Sequence, residues 1–347
     1  MMLRIIAVGM IASTLAGCGF LGLGGGDDLV GCREGFQSIA DVTDAQVADL
    51  GMGDAALLVQ VDGETVCRLL YGEYTPTSPM YIASAAKWLS AGAVLAVIDR
   101  GDLQLDTKVS AFYPSTPHPL ADVTLAQLIS HTSGMPGWHP CLDVTEGTLD
   151  MCVQDMLDLD LLFPPGTGFL YGGPAFSLAG AMAQRATGKL WYEIFAEVMA
   201  TPLGLTSTTY REENLTLSEG FVTSSLEDYG RFAAMMLDDG VWEGKRLLSH
   251  EMVLAMRTNW AEGTTPFYSP TETASYGLGA WVGSLDEDGY ARTLTSPGAQ
   301  GFYPLVDYDR RMVVVFAVED NIQRIGDGLT EILRAIREAV DASDQAP

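Results

Sequence analysis

Two runs of β-forming residues, 55–61 and 65–71, flank an Asp62-Gly63 pair. Such a pair between extended apolar runs predicts a tight hairpin, because its two central residues need positive φ. A short apolar lead over 80–83 runs into a segment that starts near Ser84 and stops at Arg100-Gly101. Glycine just past the last periodic residue is a helix stop. Within this segment Trp88, Leu89, Val94, Leu95, Val97 and Ile98 leave almost no polar face. A helix apolar nearly all round is a buried central helix.

From 105 to about 205 the pattern is mostly helical, punctuated by Pro114, Pro117, Pro119, Pro136-Gly137 and Pro164-Pro165-Gly166. Residues 176–187, 191–200 and 226–237 read as helices, the last ending near Asp239-Gly240. Strand character returns at 276–282, 301–306 and 312–318. The final pattern, about 325–340, places Ile325, Leu329, Ile332, Leu333, Ile336 and Val340 on one helical stripe. Strands thus cluster at both ends and helices fill the middle. The predicted fold is α+β: an antiparallel sheet built from the N- and C-terminal segments, flanked by helices, with an all-α insertion. Residues 33–104 and 206–343 form the α/β part and 105–205 the helical insertion, and the cleft between them is the expected place for a site. No internal repeat is visible.

Of the 347 residues 48% are hydrophobic, enough for a sizeable core and too many for a disordered chain. A net charge of -26 repels phosphate backbones and argues against nucleic-acid binding. Residues 1–17 read as a signal peptide: Arg4 supplies the positive start, and an apolar run follows that is too short to span a bilayer. Leu15-Ala16-Gly17-Cys18 resembles a bacterial lipobox, which makes Cys18 a lipidated first residue and 18–32 the lipidated cysteine with a Gly-rich tether. The expected location is exported and membrane-anchored, on the periplasmic or cell-surface side. In that oxidising setting the four remaining cysteines form two disulfides, with Cys141–Cys152 and Cys32–Cys67 the preferred pairing of three possible. A metal site using these cysteines with His131 and His139 lacks any CxxC, HxH or HExxH spacing. No cofactor is called for.

The sharpest chemical feature is Ser84-Ala85-Ala86-Lys87. At a helix start, residues i and i+3 share a face, so the serine hydroxyl and the lysine amine can meet. A serine hydroxyl needs a neighbouring base, and burial disfavours the charged ammonium, which is the condition for a lysine to act as one. Backbone N–H groups at the helix start suit a developing oxyanion. The same four residues also fit an N-cap serine followed by a snorkelling lysine. Tyr171, in Tyr171-Gly172-Gly173 after Pro164-Pro165-Gly166, is a candidate proton relay or a core tyrosine. Tyr81, Trp138 and Trp281 are aromatic residues that fit a pocket wall or a core equally.

These segments resemble, in order, the serine β-lactamase and penicillin-binding-protein-like family, in its class C β-lactamase and esterase branch. Further matches are Leu128-Ile129-Ser130-His131-Thr132-Ser133-Gly134-Met135, Pro202-Leu203-Gly204-Leu205, SSLEDYGRFAAMML from Ser224, YGLGAWV from Tyr276, and Ser296-Pro297-Gly298-Ala299. The resemblance covers roughly 50 to 340. It implies that Ser84 is the acylated nucleophile, Lys87 its base and Tyr171 the relay, with the backbone N–H groups of Ser84 and Ala299 as the oxyanion hole. It places Ser296 and Gly298 in the segment where many relatives carry a KTG or HxG triad, and makes His131 a turn residue supporting the fold.

Two residues depart from the pattern. Gly173 stands where the class C pattern has an asparagine, and Ser296 where relatives carry a cation that favours a substrate carboxylate. The expected activity is therefore hydrolysis of a small ester or amide, esterase or D-peptidase-like, with a small-molecule or peptidoglycan-like substrate. The alternatives are a β-lactamase and a catalytically weak cell-wall-binding lipoprotein.

Overall fold

The computed structural model describes residues 29–143, 147–210, 222–269 and 275–343. The signal peptide 1–17, Cys18 and most of the tether lie outside the described residues. Seven strands form the central antiparallel sheet: β1 (Gly31–Cys32), β2 (Ala55–Val61), β3 (Glu64–Tyr71), β4 (Trp281–Val282), β5 (Thr293–Thr295), β6 (Phe302–Asp307) and β7 (Met312–Val318). Their order across the sheet is β1-β3-β2-β7-β6-β5-β4, so segments from the two ends of the chain join along β2 and β7. The β2–β3 hairpin turns at Asp62 (φ 50°) and Gly63 (φ 80°), both in the left-handed region that such a turn demands.

Both faces of the sheet are covered, which explains why β2 and β7 read as unbroken apolar runs. In β2, Leu57 and Val59 face one core while Ala56 and Leu58 face the other. In β7, Val314 and Phe316 alternate with Val313 and Val315 in the same way. Helix α1 (Gln37–Asp49) and the C-terminal helix α5 (Gly326–Ser343) pack against each other over the first face, through Ile39, Val47, Leu329, Ile332 and Ile336. The other face receives α2 (Ala86–Asp99), α3 (Pro174–Thr187) and α4 (Leu226–Leu237). Phe316 is fully buried between the two layers, and truncating it to alanine would cost about 3–5 kcal/mol.

Helix α2 is as apolar as its sequence: every residue from Ala86 to Val97 is buried. Among the described residues of the inserted region the regular elements are helical apart from one short strand, Gly168–Leu170, which pairs in parallel with Thr265–Tyr268. That strand departs from the all-helical reading of 105–205, and it ties the insertion to the α/β part beside Tyr171. The strand expected over 276–282 shrinks to Trp281–Val282. Gly277 N–H donates to the Ala280 carbonyl at 2.8 Å, which closes a tight turn where an extended run was expected. Both expected disulfides are present. Cys32 faces Cys67 across β1 and β3, and Cys141 is bonded to Cys152, so none of these sulfurs is a free thiolate. Among the described residues no helix is long and apolar enough to cross a membrane.

Candidate active site

Ser84 lies in a single 3₁₀ turn, Ala83–Ala85, that feeds directly into α2. The residue before it, Ala83, has φ 44°, a left-handed conformation costly for a residue with a Cβ. Strain of this kind persists only where neighbours over-determine the backbone, and three hydroxyls do so here. Ser296 Oγ donates to the Ser84 carbonyl at 3.1 Å, Tyr229 Oη to the Ala85 carbonyl at 2.8 Å and Tyr210 Oη to the Ala86 carbonyl at 3.1 Å. Burial pushes the Tyr229 and Tyr210 phenols above their usual range, so both remain protonated donors at any working pH. Tyr210 stands in a polar run, Thr208-Thr209-Tyr210-Arg211-Glu212, and Tyr229 inside the segment from Ser224; nothing in either pattern signals a backbone brace.

One turn along, Lys87 is fully buried and its Nζ hydrogen-bonds Ser84 Oγ at 3.2 Å. The same Nζ stands 4.6 Å from the centroid of the Tyr171 ring. Ser84, Lys87 and Tyr171, scattered in sequence, thus meet at one point. Tyr171 is positioned by its backbone, which donates to the Tyr268 carbonyl at 3.1 Å, and by its ring, which stacks on Trp281 at 5.3 Å. Trp281 is therefore part of the aromatic support behind the candidate relay. Trp138 is 55% exposed, and Tyr81 is 45% exposed on the approach to Ser84.

His131 is buried in a cage of rings, with Tyr171 at 4.6 Å, Tyr276 at 4.9 Å and Phe176 at 5.1 Å between centroids. Its two ring nitrogens have no hydrogen-bond partner among the described residues. Burial first, and the Lys87 charge second, hold its basicity well below the usual histidine value, so it is neutral at neutral pH. Its backbone carbonyl accepts from Leu170 N–H at 3.0 Å, which locks the approach to Tyr171. These contacts fit the supporting role that the resemblance implies.

The segment 296–299 lies beside the nucleophile turn. Gly298 is there for a steric reason: a Cβ on it would stand 2.2 Å from the Ile82 carbonyl oxygen. Gly298 N–H is spent on the Phe302 carbonyl at 2.7 Å, while Ala299 N–H has no partner among the described residues. Ala299 is exposed, so its N–H is the one this segment can offer to a ligand. Ser296 is only 1% exposed and its hydroxyl serves the Ser84 carbonyl; it faces the nucleophile's backbone and not the open site.

The arrangement can generate an alkoxide-like nucleophile from Ser84, accept its proton on a buried amine, and present a phenol to a leaving group. Comparison with known proteins gives the same lineage. The family model described as Beta-lactamase matches residues 39–327. Penicillin-binding protein 4 of Amycolatopsis lactamdurans is 32% identical over 246 residues, 58% of this chain and 64% of that protein. Esterase EstB of Burkholderia gladioli is 32% identical over 143 residues, 36% of each chain. The chain thus spans less than two thirds of the length of these curated relatives. A solved structure of a beta-lactamase candidate from Bacteroides dorei DSM 17855 superposes with a TM-score of 0.76 at 28% identity, covering 86% of this chain and 99% of that one. The chain belongs to the Beta-lactamase family and has its β-lactamase/transpeptidase-like fold.

Proposed function

From this membership we propose that the chain is a serine hydrolase that forms an acyl-enzyme on Ser84 and acts on small esters or amides. The observation that carries the reading is the 3.2 Å contact between Lys87 Nζ and Ser84 Oγ inside a buried, hydroxyl-braced turn. Lys87 takes the Oγ proton as Oγ attacks the carbonyl carbon. The oxyanion is received by the Ser84 and Ala299 N–H groups. Collapse of the tetrahedral species expels the alcohol or amine, protonated through Tyr171, and water then releases the acyl group by the reverse sequence.

Esters suit this site better than β-lactams. Ser296 supplies no cation for a substrate carboxylate, and Gly173 supplies no side-chain amide. The test is intact-mass analysis after treatment with a fluorophosphonate, a penicillin and a short-chain p-nitrophenyl ester. A single adduct on the fluorophosphonate-treated protein, lost in Ser84→Ala, supports the reading. An adduct that persists in Ser84→Ala, or none at all, overturns it.

A further inference from the structure

An open cavity of about 590 Å³ lies beside the nucleophile turn, with Tyr81, Ala299, Gln300, Glu319, Asp320 and Asn321 in its lining. Three segments wall it: 80–81 before the nucleophile turn, 299–300 after Gly298, and 319–321. Tyr81 precedes Ser84 by one turn of chain, and Ala299 follows Gly298, whose backbone touches the Ile82 carbonyl. The cavity thus shares Ala299 with the oxyanion hole of the proposed mechanism.

The charge of the lining is one-sided. Arg324 neutralises Asp320: its Nε donates to Oδ1 at 2.8 Å and its terminal nitrogen pairs with Oδ2. Glu319 is exposed and has neither hydrogen bond nor ion pair among the described residues. Among the described residues no lysine, arginine or histidine lines the cavity. Tyr81, 45% exposed, adds an aromatic ring to the same space. A carboxylate and an aromatic face in one cavity is the combination that holds an ammonium group, by charge and by the ring quadrupole together.

We propose that this cavity selects ester or amide substrates carrying an ammonium or quaternary amine, with Glu319 as the specificity-determining charge and Tyr81 as the aromatic wall. The proposal rests on the serine-hydrolase reading above and deepens it. Because the cavity is open to water, the discrimination is modest, about three- to tenfold, and fades with salt.

The test uses two pairs of isosteric esters, each differing only in a trimethylammonium against a tert-butyl group. One pair carries the group on the acyl side and the other on the alcohol side. The measured quantity is the ratio of kcat/KM within each pair, with the rate of Ser84 acylation by intact mass in its place where turnover is slow. The cationic member is preferred in at least one pair, and about 0.5 M NaCl erodes the preference. Glu319→Gln brings the ratio to near one, and Glu319→Lys inverts it in favour of the neutral tert-butyl member. Tyr81→Leu lowers it in part. Glu338→Gln, an equal charge change on the outer helix, leaves it unmoved. A wild-type ratio of one in both pairs, or a preference that survives Glu319→Gln, overturns the proposal while leaving the parent reading standing. Failure of every ester to acylate Ser84 removes the parent reading, and this one with it.

Discussion

At the scale of residues, the proposed mechanism makes Ser84 and Lys87 a unit: the hydroxyl attacks only as its proton passes to the amine it contacts at 3.2 Å. Ser84→Ala and Lys87→Ala are each expected to lower ester turnover by about 10³-fold or more, and the double variant to be little worse than either. A p-nitrophenyl ester assay with circular dichroism as the folding control reads this; strictly additive losses would break the pairing. His131 supplies a second prediction, because its neutral form alone is tolerated in the cage. The unfolded chain takes a proton as pH falls below about 6.5, while the folded chain refuses it. Stability therefore falls with falling pH, by up to about 1.4 kcal/mol per unit, until the folded form also protonates. His131→Phe removes this contribution, so the urea midpoint should vary less between pH 7 and pH 5 than in the wild type. The slope is the readout, since Phe at φ 61° costs baseline stability. An unchanged slope would mean that His131 is not the acid-sensitive group. Residue chemistry was the most legible level: Ser84, Lys87 and Tyr171 were readable from spacing and resemblance. Tyr210, Tyr229 and the brace from Ser296 were not, because a hydroxyl aimed at a distant backbone carbonyl leaves no local pattern.

At the scale of elements, long apolar runs announced themselves and short or mixed ones did not. Strands β2 and β7 and helix α2 are legible because burial on all sides makes every position apolar. Helix α1 is not, since only Ile39, Thr43 and Val47 of its thirteen residues are buried and the rest are polar or small. The strand at 168–170 owes its existence to a partner at 265–268, which no local window contains. The 3₁₀ turn at Ser84 is likewise set by the close passage of 296–299. That passage carries a third prediction. In Gly298→Ala the new methyl would meet the Ile82 carbonyl, a backbone atom that cannot swing away, so the segment must retreat from the nucleophile. The expected result is a fall in kcat of about 10²-fold or more, since small misplacements near the chemistry are costly. Gly301→Ala, crowded likewise and at φ 92° where alanine is also strained, should lose at least as much stability and is the control for general destabilisation. Equal thermal losses with equal kcat in the two variants would refute a positional role for Gly298.

At the scale of the whole molecule, the candidate site lies between the inserted region and a sheet whose strands 55–71 and 281–318 come from opposite sides of it in sequence. The fold class followed from strands at both ends with helices between, while sheet order and the parallel tie at Leu170 required long-range partners. We propose that the molecule is tethered to a membrane through Cys18, since a lipobox-like Leu15-Ala16-Gly17-Cys18 precedes a Gly-rich stretch. Cys18→Ser should move the protein from the membrane to the soluble fraction of the expressing cell, because anchoring by several acyl chains is stable and its loss complete. Equal membrane partitioning of the two proteins would remove the anchor.

The join between β2 and β7 has a consequence for how the molecule comes into being. Residues 55–61 leave the ribosome early, yet their partner is 312–318. Until 312–318 emerges, the N-terminal hairpin has no neighbour on one edge, and the helix layer that α5 completes on one face is unfinished. Pairings so distant in sequence close slowly, and the nascent sheet remains uncommitted until 312–318 is available. A chain in that condition is still threadable, as the proposed export and tethering through Cys18 would need. A version ending at Arg311 should accordingly show no cooperative unfolding transition and be cut rapidly by protease, whereas one ending at Ser343 should fold. A cooperative, protease-resistant 1–311 chain would show that the sheet commits before its keystone arrives.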